Sequence, residues 1–184
     1  GAIEHFCSKN AMNIDGLGPQ IVDQLMDENL IENVDDLFTI TYSDLVSLDR
    51  FQDKSANNLI NSIKQSKNTT FPRFIFSLGI PHVGQHVSKI LDSYCNSSVN
   101  HLSKVSFEEL ENIDGIGSIV AQSIIDFFQN NNNNMIVKNC FTKGVLIKKT
   151  IFNDSLKFAG EIFVITGSFN SYSRLQIKEL LERE

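Results

Sequence analysis

Two short glycine turns stand out among the residues that could bind a ligand, Gly16-Leu17-Gly18 and Gly115-Ile116-Gly117. Glycine leaves the main chain bare, so a phosphate can approach it closely. Each turn precedes a segment with helical apolar spacing, and the first N–H groups of a helix are unpaired and lie at the positive end of its dipole. The pattern predicts that main-chain donors bind phosphate oxygens, while the central apolar residue of each turn is buried.

The same turn recurs four times along the chain. The position of the first glycine falls at residues 16, 50, 82 and 115, with spacings of 34, 32 and 33 residues. The second copy has Arg50 and Gln52 in place of the glycines, so Arg50 and Lys54 are predicted to contact phosphate through their side chains. The third copy keeps Gly84 and has His82 at the first position. Such regular spacing predicts an internal repeat.

Each copy predicts a short amphipathic helix, a tight turn and a longer helix. The pairs Thr41/Asp44 and Ser106/Glu109 have the spacing of capping boxes that begin two of the short helices. Pro19 falls where the first residue of a long helix is expected. We therefore expect a mainly α fold in which four tandem copies, each of two helices joined by a tight turn, form one compact domain.

The composition restricts the function. The chain has 184 residues, of which 41% are hydrophobic, and a net charge of −6. It has too many apolar residues for a disordered chain, but no apolar run long enough to span a membrane, and its first residues do not predict a signal peptide. The cysteines Cys7, Cys95 and Cys140 form neither a disulfide framework nor a CxxC pair, which favours a reduced, cytoplasmic setting.

A net charge of −6 taken alone argues against a nucleic-acid partner. The charge is unevenly distributed, however. Residues 1–42 carry −7 and residues 106–129 carry −5, whereas residues 43–105 carry +3 and residues 130–150 carry +4. We expect the basic side chains Lys64, Lys67, Arg73 and Lys89 of the 43–105 block to attract a nucleic-acid backbone without sequence specificity. Phe71, Phe74 and Phe76 are expected in the core.

The four turns resemble the helix-hairpin-helix motif of proteins that bind DNA without sequence specificity. In series they resemble the double helix-hairpin-helix domain of bacterial NAD-dependent DNA ligases. The stretches that carry this resemblance include His5-Phe6, Ala11-Met12-Asn13-Ile14-Asp15-Gly16-Leu17-Gly18, Asp36-Leu37-Phe38, Lys54-Ser55-Ala56-Asn57-Asn58-Leu59, Arg73-Phe74-Ile75-Phe76-Ser77-Leu78-Gly79-Ile80 and His82-Val83-Gly84. Phe163-Val164-Ile165-Thr166-Gly167-Ser168 resembles the first strand of a BRCT domain. The resemblance implies a DNA-binding domain over 1–147, a linker over 148–157 and a BRCT fragment over 158–184.

The resemblance implies a segment that clamps nicked double-stranded DNA while a ligase joins 5′-phosphate to 3′-hydroxyl in replication and repair. The adenylated Lys-x-Asp-Gly motif of the family is missing, because Asn13 and Asn112 stand at the lysine position. We therefore expect no catalytic residue, metal or cofactor in this segment. NAD, Mg²⁺ and Zn²⁺ are expected for the full-length ligase, whose upstream adenylation, OB-fold and zinc modules are the expected partners. The predicted DNA-backbone contacts are Gly16, Leu17, Gly18, Arg50, Lys54, Arg73, Gly84, Gly115, Ile116 and Gly117.

Two other functions remain open at this point. The array could belong to a non-enzymatic scaffold for DNA repair or junction binding, or to a protein-interaction module whose hairpins are purely structural. Bulky residues in place of Gly16 and Gly115 are expected to lower DNA affinity without unfolding the domain. The asparagine run at 130–134 is expected to be a surface loop or a helix end.

Overall fold

A computed structural model describes residues 1–49 and 51–149, which belong to the first compact unit of the chain, Gly1–Thr150. The proposed phosphate ligand Arg50, the predicted BRCT fragment and most of the predicted linker lie outside the described residues. Within the described residues the fold is mainly helical, as the sequence predicts.

The described chain contains α-helices, one 3-10 helix and two short strands. The α-helices are α1 (Ala2–Cys7), α2 (Pro19–Asp27), α3 (Tyr42–Val46), α4 (Asp53–Ser66), α5 (Phe71–Ser77), α6 (Gln85–Cys95), α7 (Val99–Leu102), α8 (Phe107–Glu111), α9 (Ser118–Gln129) and α10 (Asn131–Thr142). The 3-10 helix spans Val34–Thr39. The strands are β1 (Asn68–Thr70) and β2 (Leu146–Lys148). None of the helices in this part of the chain is long and apolar enough to cross a membrane.

Four units, each of two helices joined by a hairpin turn, follow one another along the chain, as the repeat predicts. They are formed by α1 with α2, α3 with α4, α5 with α6, and α8 with α9. One hydrogen bond recurs in all four units. The main-chain N–H groups of Val22, Ala56, Ser88 and Ala121 donate to the carbonyl oxygens of Gly18, Gln52, Gly84 and Gly117, at 3.0, 2.9, 3.0 and 2.9 Å respectively. The units therefore share one register.

The predicted starts of the helices are confirmed. Pro19 is the first residue of α2. The Thr41 hydroxyl accepts a hydrogen bond from the main-chain N–H of Asp44, and the Asp44 carboxylate accepts one from the N–H of Thr41. Ser106 and Glu109 form the same reciprocal pair at the start of α8. Local sequence alone determines these helix starts, because both partners lie within one turn.

A single apolar core joins the units. Phe71 and Phe74 are fully buried in it, whereas Phe76 is half-buried beside His5. Strands β1 and β2 pair in parallel, with Thr69 opposite Ile147. Strand β2 includes Lys148, so the regular structure runs one residue past the boundary predicted at residue 147.

The asparagine run is a helix start rather than a loop. Asn130 is the N-cap of α10, and its side-chain oxygen accepts hydrogen bonds from the N–H groups of Asn132 and Asn133. The side-chain amides of Asn133 and Asn134 donate to the carbonyl oxygens of Phe127 and Phe128 at the end of α9. Asparagine thus satisfies main-chain groups at both sides of the junction, which explains how a stretch of poor helix formers begins a helix.

A buried ion pair attaches α10 to the 3-10 helix. The Lys143 Nζ donates to the Asp35 carboxylate at 2.7 Å and to the Asp36 carboxylate at 3.3 Å. The amide of Asn139 also donates to Asp35, at 3.1 Å. Asp35 is only 3% exposed, so these donors compensate a charge that has little access to water.

Candidate nucleic-acid interface

The described hairpins have the same backbone geometry at the position of the first glycine. Gly16 and Gly115 have positive φ angles of 94° and 85°, and His82 has a φ of 64° at the corresponding place in the third unit. Left-handed backbone is easy for glycine and is tolerated better by histidine than by bulky or β-branched residues. The first position of the hairpin therefore needs glycine, or a tolerant substitute, for a conformational reason.

The backbone conformation does not require glycine at the second position of each turn. Gly18, Gly84 and Gly117 are the N-caps of α2, α6 and α9, with φ angles of −76°, −83° and −87° that any residue adopts. A Cβ atom built at any of these three positions meets no atom within 4 Å. The fold would thus accept a side chain there, and the bare main chain leaves room for a group from outside.

The N-termini of these three helices carry no side-chain cap. The short helices α3 and α8, which open their units, are capped by Thr41 and Ser106. The hydrogen bonds of these two capping pairs also lower the pKa values of the carboxyl groups. Hydrogen bonds from the side chain and main chain of Thr41 lower the pKa of Asp44, and those from the main chain and side chain of Ser106 lower the pKa of Glu109. Helices α2, α6 and α9 therefore leave their first turn open to an anion, as α1 and α5 also do, but only α2, α6 and α9 follow a Gly-containing hairpin.

The central residue of each hairpin is apolar and packs toward the core. Leu17, Val83 and Ile116 are 7%, 5% and 4% exposed, and the residues on both sides of each are exposed. Phe51 takes the corresponding place in the second unit and is half-buried. The predicted burial of Leu17 and Ile116 is confirmed. Because their side chains are buried, the predicted contacts of these two residues with the DNA backbone are possible only through their main-chain atoms.

The hairpins at the two ends of the array pack against neighbouring units. In the first hairpin, the main-chain N–H of Asp15 donates to the Ser62 hydroxyl of α4 at 2.7 Å. In the fourth, a Cβ atom at Gly115 would lie 2.8 Å from the Cδ1 of Ile90 in α6. The first hairpin therefore contacts unit two, and the fourth hairpin contacts unit three. Sequence reasoning found neither Ser62 nor Ile90, because both lie outside the turns.

This packing corrects one expectation. Bulky substitutions at Gly16 and Gly115 were expected to leave the fold intact. Both residues have positive φ, and a side chain at Gly115 would collide with Ile90. Substitution there is strained and would destabilise the domain, so a loss of DNA affinity would not be interpretable. Gly18, Gly84 and Gly117 are the positions at which binding can be tested without strain.

The predicted cationic contacts have different surroundings. Lys54 is exposed in the first turn of α4, beside the second hairpin. The Arg73 guanidinium donates to the carbonyl oxygen of Lys9, so at least one of its donors stabilises the fold. Its role in binding the DNA backbone stays a prediction.

The three cysteines of the described chain are buried and poorly reactive. Burial is the main cause that raises the pKa of Cys7, Cys95 and Cys140 to about 12 in each case. A thiol with such a pKa remains protonated at neutral pH and is a poor nucleophile. Within residues 1–49 and 51–149 no group of three or more His, Cys, Asp or Glu side chains could hold a metal ion.

Comparison with known families defines the class of this fold. Residues 73–137 match the family described as helix-hairpin-helix motif. This match spans the third and fourth units, and the first two described units share their register and their recurrent hydrogen bond. The described residues therefore have a tandem helix-hairpin-helix fold.

Its relatives are more specific. The chain is 43% identical over 187 residues to the DNA ligase of Phocaeicola vulgatus and 41% identical over 185 residues to that of Cytophaga hutchinsonii. It is 42% identical over 183 residues to the DNA ligase of Thermosipho africanus. These alignments cover 100%, 98% and 98% of the chain but only 28%, 28% and 27% of the respective ligases. The chain is therefore homologous to part of the DNA ligases and spans little more than a quarter of their length.

Proposed function

We propose that this chain is the DNA-binding, C-terminal segment of a bacterial NAD-dependent DNA ligase. It binds nicked double-stranded DNA through the phosphate backbone and does not read the base sequence. The observation that carries this proposal is the set of three helices whose N-caps are glycines with open space beside them, at Gly18, Gly84 and Gly117. Phosphate oxygens are the DNA groups that such main-chain donors bind best.

The contacts of the two end hairpins support a clamp. The first hairpin packs on the second unit, and the fourth hairpin packs on the third. In this proposal the first two units bind the backbone on one side of a nick, and the last two units bind it on the other side. The contribution of this segment to nick sealing is then positioning: it holds the 3′-hydroxyl and the 5′-phosphate in line for the reaction.

The chemistry of sealing belongs to other parts of the ligase. The chain's two Asn-x-Asp-Gly sequences, which start at Asn13 and Asn112, lack the lysine that carries AMP in the family. NAD, Mg²⁺ and Zn²⁺ accordingly belong to the adenylation, OB-fold and zinc modules of the full-length enzyme, which acts on DNA in the cytoplasm. The role of residues 158–184 as a BRCT fragment is part of the same proposal.

Fluorescence anisotropy with labelled duplexes tests the proposal. The chain should bind nicked duplexes of unrelated sequence with equal affinity, and the affinity should fall as salt rises from about 50 to 200 mM, because phosphate contacts release counterions. The double variant Gly18→Asp/Gly117→Asp should bind at least tenfold more weakly. Its backbone angles are compatible with aspartate, and the new carboxylates would lie where phosphates bind.

A charge-matched pair, the single variant Gly117→Asp and the control Asn130→Asp, separates this effect from simple charge. Asn130→Asp also adds a carboxylate at a helix N-cap, but α10 does not follow a hairpin. This variant should bind DNA about as well as the unmodified chain. An absence of binding to nicked duplex at low salt would overturn the proposal. Equal affinity for a four-way junction and a nicked duplex would favour the non-enzymatic repair scaffold instead.

A further inference from the structure

Ile119 is an unusually exposed apolar side chain. It is 68% exposed, more than any other large hydrophobic residue within residues 1–49 and 51–149. It is the second residue of α9 and lies two positions after Gly117, the N-cap of that helix. Gly117 and Ser118 are exposed as well, whereas Ile116 is buried. An apolar side chain therefore stands in water beside the open hairpin of the fourth unit.

The corresponding residues in the other three units are polar. The shared register places Gln20, Lys54 and His86 at the second helical position of α2, α4 and α6. All three are exposed, as Ile119 is. The fold therefore accepts a polar side chain at this position, and core packing does not account for an isoleucine in the fourth unit.

The charge near the fourth hairpin adds a second observation. Residues 106–129 contain five acids and no base, and Asp114 is exposed within the hairpin itself. This hairpin cannot attract DNA by local positive charge. Main-chain N–H groups supply hydrogen bonds to phosphate, and an apolar contact is the remaining source of affinity that the surrounding acids do not weaken.

We propose that Ile119 packs against the deoxyribose wall of the DNA minor groove and gives the fourth hairpin an attachment that does not depend on salt. The C–H groups of the sugars form an apolar surface next to the phosphates that the hairpin binds. Isoleucine is among the side chains that proteins place in the minor groove. This inference rests on the proposed function, because it takes the hairpin as the DNA-binding face.

The test compares Ile119→Gln with Lys54→Gln in anisotropy titrations of nicked duplex over a series of salt concentrations. Ile119→Gln should weaken binding about fivefold to tenfold at every salt concentration, with an unchanged slope of log affinity against log salt. Lys54→Gln should reduce the magnitude of that slope by about one, because it removes a phosphate contact. The control Met135→Gln replaces another exposed apolar residue, 54% exposed in α10, and should change affinity less than twofold.

Competition with netropsin, a ligand of the minor groove in A·T-rich DNA, tests whether Ile119 contacts that groove. On an A·T-rich duplex, netropsin should reduce the affinity advantage of the unmodified chain over Ile119→Gln. Thermal unfolding confirms that the variant is folded, as expected for an exposed position. If the unmodified chain binds DNA and Ile119→Gln binds equally well, this inference is wrong and the proposed function stands. If the unmodified chain does not bind, the proposed function itself fails.

Discussion

Gly117 is a residue that the fold does not require, and its proposed role is binding. Its φ of −87° suits any amino acid, and a Cβ atom there would meet nothing. Serine, aspartate and asparagine are better N-caps than most residues because their side chains bond to the first N–H groups of the helix. Glycine at this position has no side chain that could cap the helix. The first N–H groups of α9 therefore stay available to a ligand.

Gly117→Ser should therefore separate stability from affinity. The serine hydroxyl can cap α9, which should leave the free energy of unfolding unchanged or raise it by about 0.3 kcal/mol. The same side chain occupies the space for the phosphate and competes for its donors, so affinity for nicked duplex should fall about threefold to tenfold. Urea unfolding and anisotropy on the same sample measure both effects. A loss of stability that accompanies the loss of affinity would argue for a structural role of Gly117.

The helix-hairpin-helix unit could be predicted from the sequence because its determinants are local. The glycine turns, the capping pairs and Pro19 all act within one or two helical turns, and four copies at similar spacing reinforced one another. Contacts between elements were not predictable in this way. Asp35 and Lys143 lie 108 residues apart, and neither belongs to a repeat. The approach of Gly115 to Ile90 likewise depends on how two units pack.

The Lys143 ion pair should be a major determinant of the position of α10. Lys143→Met removes one of the two side chains that donate to Asp35, so a buried carboxylate loses its counterion. Breaking such a pair costs about 3 kcal/mol of unfolding free energy. Lys138→Met, an exposed lysine on the same helix, is the control and should change stability by less than about 0.5 kcal/mol in urea unfolding. Equal stability of the two variants would show that the pair contributes nothing.

The same contacts predict a loss of stability in acid. Burial alone would raise the pKa of Asp36, but hydrogen bonds from the N–H groups of Asn33 and Glu32 and from Lys143 outweigh it and lower the pKa from 3.8. A lowered folded pKa stabilises the protein above the unfolded value, and this stabilisation is lost as the pH falls through the folded pKa. Urea unfolding should show declining stability below about pH 4. The decline should be smaller in Asp36→Asn, and an identical decline would exclude a contribution from Asp36.

At the scale of the whole described unit, the net charge is a poor guide to the partner. The chain carries −6, yet the groups proposed to bind phosphate at its open hairpins are neutral main-chain donors, and its basic residues are concentrated in 43–105 and 130–150. Both the repeat and the uneven distribution of charge could be read from the sequence. The sequence could not distinguish glycines required by the backbone from glycines that only leave space, because that distinction depends on φ angles and neighbouring atoms. The repeat aligns Ile119 with polar residues, but only the structure gives the extent of its exposure.

The most direct test of the account is an NMR titration of the ¹⁵N-labelled chain with nicked duplex DNA at low salt. If main-chain groups of the hairpins bind phosphates, the largest amide shifts should fall on Gly18 and on the pairs Gly84/Gln85 and Gly117/Ser118. The amides of Asn132 and Asn133, already bonded to the Asn130 side chain, should move little. Shifts confined to residues outside the hairpins, with these glycine amides unmoved at saturation, would contradict the account.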